Sequence, residues 1–253
     1  MCARDFDGVD DIISQGSITA FAGSWTMVAW INADSAGESG NGRIILTNTA
    51  SVRERSLWFQ TGMNFRSLQK FSTTDATSVS SNTLAVGTWY CVATTYNSAD
   101  MIMRLYYGSL AAAMVEASYG TQTAGVGTPN EGSTRVHAGN RPDQAETFDG
   151  RIAHACVDNR IWTLDEMEAF RQGQRPINTG SMIVYWPLDS PTAAQAEDLS
   201  GNNYHGTVTG ALAAEGPPVA MRWGDSFGMT YTTAAAAAKV PVFMHSYRRR
   251  RAA

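Results

Sequence analysis

The chain has 253 residues, 43% of them hydrophobic and 17% charged, with 23 glycines and a net charge of −4. It is too apolar for a disordered protein and has no run of about 20 apolar residues that could cross a membrane as a helix. Its aromatic, β-branched and turn-forming residues also exclude a long helical bundle.

The N-terminus, MCARDFDGVDD, is acidic where a secretory leader would be basic and then apolar, so no signal peptide is expected. Short apolar or alternating runs follow between clusters of Gly, Asn, Asp and Ser. The clearest cover residues 25–31, 43–47, 56–59, 89–96, 101–107, 135–138, 151–162 and 182–188. Many short strands bounded by turn formers predict an all-β fold, an antiparallel sandwich or jelly roll.

One segment reads as a helix. Thr163 and Glu166 have the spacing of a capping box, Leu164, Met167 and Phe170 follow at helical spacing, and Gly173 and Pro176 end the run. A short helix on one edge of the sandwich is expected.

After Pro217 and Pro218 the texture changes. Residues 220–253 hold five consecutive alanines, then KVPVFM from Lys239, then four arginines. This predicts a domain over 1–219 and an extended arm over 220–253. Val240, Val242, Phe243, Tyr247, Arg248, Arg249, Arg250 and Arg251 are its candidate partner-binding residues, since arginines suit carboxylate-bearing surfaces. Lysine occurs only at 70 and 239, so the body is more negative than the total charge implies. Nucleic acid is therefore not an expected partner of the body, although an arm turned into a capsid would bring its arginines to phosphates.

Cys2, Cys91 and Cys156 are odd in number, and the last two lie in apolar runs. Buried free thiols in a reducing compartment are expected. Glycoside hydrolysis needs two carboxylates facing one cleft, which on a strand means alternate positions. Asp7, Asp10 and Asp11 lie beside a turn, Asp165, Glu166 and Glu168 in the helix cap, and Glu197 and Asp198 in a loop. None fits a catalytic strand. The four histidines are scattered, His154 in an alternating run where a hydrogen-bonded structural role is expected, and GVGT at 125–128 lacks a phosphate loop's lysine.

The order of several motifs resembles the laminin G-like, concanavalin A-like jelly-roll family. FDGVDDI at 6–12 resembles its opening strand and SWTMVAWI at 24–31 its second. GTWYCVA at 87–93 with TTY, then RLYYG at 104–108, resemble its central strand and following hairpin. FDGRI at 148–152, NRIW at 159–162 and residues 164–168 resemble its late strand and short helix. YWPLD at 185–189 and DLSGNNYHG at 198–206 also look like family elements, but they follow the helix, where many relatives place them before the opening strand. That implies a permuted or C-terminally closed variant. The resemblance covers roughly residues 3–219.

The resemblance offers Asp10, Asp149 and Asp198 as ligands for a structural Ca²⁺, against the preferred reading that they form Asx turns. No other cofactor is expected. It also implies carbohydrate recognition, for which Trp58, Tyr119, Tyr204 and Trp223 are available as loop aromatics, while Trp25, Trp30, Trp89, Trp162 and Trp186 read as core. Such domains resemble those of bacteriophage particles. The leading expectation is a non-enzymatic virion structural protein, a capsid decoration, head-fibre or tail component made in the host cytoplasm. Its arm would dock on the particle or a sister subunit, and its jelly roll would project outward towards host-surface glycans. The alternative is a carbohydrate-binding module of a bacterial surface or secreted protein, and a glycosidase is a weaker third. No membrane partner is expected.

Overall fold

The computed structural model describes residues 2–48, 53–176, 180–189 and 194–222. Trp223 and every arm residue named above lie outside them. The first strands are β1 (Cys2–Asp7), β2 (Ile12–Gln15), β3 (Trp25–Ala33), β4 (Arg43–Asn48), β5 (Arg53–Gln60), β6 (Asn64–Gln69) and β7 (Ala76–Thr83). Then come β8 (Trp89–Asn97), β9 (Ile102–Ser109), β10 (Val115–Glu116), β11 (Tyr119–Thr123), β12 (Arg135–Ala138) and β13 (Asp149–Asp158). Helix α1 (Leu164–Arg171) precedes β14 (Met182–Trp186), β15 (Gln195–Ala196), β16 (Gly206–Thr209) and β17 (Leu212–Glu215).

These strands form two antiparallel sheets packed as a sandwich. Sheet A runs β10-β9-β8-β3-β13-β1-β17, with β14 also paired to β13, and sheet B runs β11-β7-β6-β5-β4-β12-β2-β16-β15. Between them Phe6, Trp25, Met27, Ile31, Leu57, Phe59, Phe65, Phe148 and Trp186 form the main core. Each large apolar side chain there contributes about 1.5–3 kcal/mol by leaving water.

All nine residues of β3 are buried. Its odd positions enter the sandwich, while Val28 and Trp30 face a second core with Trp162, Met167, Phe170 and Tyr185. The capping box forms as predicted: Glu166 N donates to Thr163 Oγ1 at 3.2 Å, and Thr163 N to Glu166 Oε2 at 2.8 Å. The helix differs from expectation in place. It lies over the outer face of sheet A instead of along an edge, burying Met167 and Phe170 and leaving Leu164 exposed. Val219 and Met221 join this layer, and Arg222 forms a parallel bridge with Gln174.

The expected opening strand over 6–12 is two strands in different sheets. The chain turns at residues 8–11, where Gly8 takes φ +74°, Val9 N donates to Asp7 Oδ1 and Asp7 N donates to Asp11 Oδ2, both at 2.9 Å. The run over 151–162 ends as a strand at Asp158. The late motifs close the fold onto its beginning, because β16 pairs with β2, β17 with β1 and β14 with β13.

One end of the sandwich holds a buried polar network. The alternation of β5 that points Leu57 and Phe59 inward also points Arg55 inward. Arg55 donates to Gln69 Oε1 and to the Phe21 carbonyl, both at 3.0 Å, with its guanidinium 4.2 Å from the Phe21 ring centroid. Trp25 Nε1 donates to the same Gln69 oxygen at 2.9 Å. Burial pulls the Arg55 pKa down to about 10, so it stays charged at neutral pH.

Candidate carbohydrate-binding face

The two outer faces are unlike. That of sheet A lies under α1, whereas that of sheet B carries polar side chains in register across its strands. One row runs Ser14, His137, Leu46, Ser56, Leu68, Thr77, Thr123. On the β4–β12 side this face is closed: Leu46, Ser56, Trp58 and His137 are buried. Across β6, β7 and β11 it opens. Asn64, Arg66, Leu68, Thr77 and Val79 are half-buried, and Thr121 is exposed. The period-two burial of NFRSLQ and ATSVS produces the strip, one residue in and the next out.

Trp58 closes the strip on one side. It is 4% exposed, with the Arg43 guanidinium 4.2 Å and that of Arg66 5.0 Å from its ring centroid. Arg43 is ion-paired to Glu146, which Arg141 also reaches at 3.1 Å. The indole therefore serves as a cation platform and is closed to sugar stacking. Tyr204 and Tyr119 hold their hydroxyls in hydrogen bonds. Tyr204 Oη accepts from Thr19 N at 2.9 Å, and Tyr119 Oη accepts from Leu105 N and donates to Glu116. Both tyrosine rings are half-buried against the main core.

The calcium candidates separate. Asp10 joins Asp7 and Asp11, whose ligand oxygens all lie within 4.8 Å of one another at the β1–β2 turn. Burial raises the Asp11 pKa, offset by the Asp7 N–H and reinforced by Asp7 and Asp10. The oxygen chemistry suits a hard cation, but one oxygen each of Asp7 and Asp11 is spent on the turn, and Ca²⁺ needs about 6–8 donors. Asp149 lies in β13 opposite Asp7, outside that group. Asp198 is elsewhere, buried and occupied. Its Oδ1 accepts from Tyr185 N and Ser200 N, and its Oδ2 from Ser200 Oγ and Tyr204 N, at 2.7–3.0 Å. It organises the SGNN turn.

Glu166 is the helix cap, and Glu168 accepts from Met114 N at 2.8 Å and pairs with Arg171. His154 Nδ1 lies 3.2 Å from Tyr185 Oη, and burial lowers the pKa of both His154 and His137 to about 4. The described cysteines are free, with Cys91 and Cys156 buried. A cavity of about 50 Å³ between Trp162, Phe170, Arg160 and Arg175 has room for a water or two and no sugar ring. No helix among the described residues is long and apolar enough to cross a membrane.

Residues 7–167 match a laminin G-like family profile described as the concanavalin A-like lectin/glucanases superfamily. The chain belongs to that superfamily. No curated protein matches it. Among solved structures, it is similar to a candidate carbohydrate-binding protein from Bacteroides ovatus, with 18% identity and a TM-score of 0.60 over 87% of this chain and 62% of that one. The superfamily domain thus spans less than two thirds of that protein. It is also similar to the native heptameric SAP-like pentraxin of Limulus polyphemus, with 13% identity and a TM-score of 0.52 over 67% and 81% of the two chains. The enzymatically active domain of bacteriophage CBA120 tailspike protein 2 shows 14% identity and a TM-score of 0.51 over 70% and 28%. At these identities the likeness is one of fold.

Neither a carboxylate nor a loop aromatic marks the strip over β6, β7 and β11 in the sequence. Its signal was the alternation of NFRSLQ and ATSVSS, which marks strands open on one face.

Proposed function

We propose that this superfamily domain is a non-catalytic carbohydrate-binding module whose sugar face is the open strip of sheet B. The observation that carries the reading is the contrast between the two outer faces: one lies under α1, and the other is half-open, polar and in register. Thr77 and Thr121 offer hydroxyl groups to sugar hydroxyls, Asn64 offers its Oδ1 while its Nδ2 donates to the Ser80 and Asn82 carbonyls, Arg66 adds a cation, and Leu68 and Val79 offer apolar ground to the C–H faces of a pyranose. None of the six is a carboxylate, so the strip has neither the acid nor the nucleophile of a glycosidase. The carbohydrate-binding role considered for the Bacteroides ovatus protein agrees with this reading.

The test is a glycan array probed with the full chain, followed by titration calorimetry on any hit. Asn64→Ala and Thr121→Arg should each weaken binding at least about tenfold, a loss of about 1.4 kcal/mol. No binding across the array, or binding indifferent to both substitutions, refutes the assignment. Release of reducing ends from a bound glycan would refute the non-catalytic part.

The tailspike likeness favours a second reading, in which the module is the outward-facing part of a virion and the arm docks on the particle or a sister subunit. Co-sedimentation of the full chain with assembled particles, lost on removing residues 223–253, is its expected signature.

A further inference from the structure

Strand β17 is the last strand of sheet A. It pairs with β1 alone among the described residues, so its second row of backbone N–H and C=O groups faces outward. Leu212 on this edge is 71% exposed, and Ala213 and Glu215 are exposed beside it. An open edge of this kind is a template for another strand, and over its four residues the one charged side chain is Glu215.

The start of the edge is rich in aspartate, and its far end carries the single carboxylate of Glu215. Leu212 lies opposite Asp5, and Asp7 lies opposite Asp149. Asp34 N donates to the Asp149 carbonyl, and Gly210 abuts Asp11. The start of β17 therefore lies at the aspartate-rich end of the sheet, which includes Asp10 in the adjoining turn. Arg151, 3.9 Å from Asp5, is a cation within this group.

The sequence beyond residue 222 has matching parts in matching order: VPVFM at 240–244, then four arginines from Arg248. Laid antiparallel to β17, such a strand ends beside Leu212, and four further residues at about 3.3 Å each carry the arginines onto the aspartates. Parallel pairing would send them to the opposite end. Pro241 suits an outermost strand, where its missing N–H faces away from the ladder. Residues 219–222 are held in the helix layer, Arg222 N donating to Gly173 O and Arg175 N to Arg222 O, so the described chain ends beside Gln174 and not in the ladder of β17.

We infer that the open edge of β17 receives residues 240–244 from a second copy as an added antiparallel strand, seating that copy's Arg248–Arg251 block on the aspartate-rich end of sheet A. The contact joins unlike surfaces, so it closes as a reciprocal exchange of arms or a ring, or extends as a filament. It is independent of sugar binding.

The experiment is light scattering on the full chain over a range of protein and salt concentrations. Association that weakens with salt is expected. Val242→Asp, or Glu at all four positions 248–251, should weaken it about tenfold or more. Both variants change only positions outside the described residues. Adding Asp10→Lys and Asp34→Lys to the all-Glu variant should restore association by exchanging the charges. A chain monomeric at every concentration overturns the inference, including the case in which the arm pairs with its own β17. Association indifferent to the arm substitutions, or no rescue by the exchanged charges, overturns it as well.

Discussion

Acid should unfold this domain through two buried imidazoles. His137 and His154 are 4% and 2% exposed, and burial lowers the pKa of each from 6.5 to about 4. An unfolded histidine binds its proton near pH 6.5, so between pH 6.5 and 4 the unfolded chain holds more protons than the folded one. Their contribution is therefore complete above pH 6.5 and is lost as pH falls towards 4. Between those limits each histidine contributes a slope of about 1.2 kcal/mol per pH unit, and at pH 5 each has cost about 2 kcal/mol. Asp5 and Asp11, whose pKa values burial raises, act in the opposite sense at more acid pH. The assay is urea denaturation from pH 7.5 to 5.0, where stability should fall by about 4 kcal/mol. The decisive comparison is with His154→Asn, because Asn tolerates the φ of +53° at this position. The variant starts less stable, but its pH slope should be about half that of the wild type, and subtraction removes the aspartates. An unchanged slope would refute the reasoning.

Two further outcomes follow from local geometry. Thr163→Ala removes the cap oxygen that receives Glu166 N and should cost about 0.5–2 kcal/mol in the same denaturation assay. A disulfide-exchange reagent should modify only half-buried Cys2 in the native protein, because Cys91 and Cys156 are buried and burial pushes both thiols up. Denaturant should release the other two, and three fast thiols without denaturant would contradict the packing of the second core.

What could be read from the sequence was local. The helix cap needs only Thr163 and Glu166 three residues apart, and the apolar run over 89–96 makes β8 by composition. Properties that depend on register were hidden. Nothing in RERSLWFQ says that Arg55 points into the core, because the face is set by pairing with β4 and β6. The same pairing places Trp58 outside yet sealed beneath arginines, which removed the first candidate for sugar stacking. Asp198 resembled a metal ligand until four hydrogen bonds were seen to occupy it. Asp10 found its neighbours because the turn that splits the opening strand gathers Asp7 and Asp11 around it. The open strip of sheet B was written in an alternation that names no chemistry, so only the layer count showed which face stays open.

The pairing of β1 with β17 has a mechanical consequence. Cys2 lies opposite Glu215, so the first residue of one strand and the last of the other share one end of the ladder. A tension applied through those two points loads the hydrogen bonds one at a time, as in opening a zipper, instead of all together in shear. Tension from beyond residue 222 meets a different first element, the short clasp of Arg222 on Gly173 and Arg175 over the helix layer. That clasp must give way before force reaches the sheet. A domain tethered on its C-terminal side would yield first at its outermost layer, with both sheets still closed.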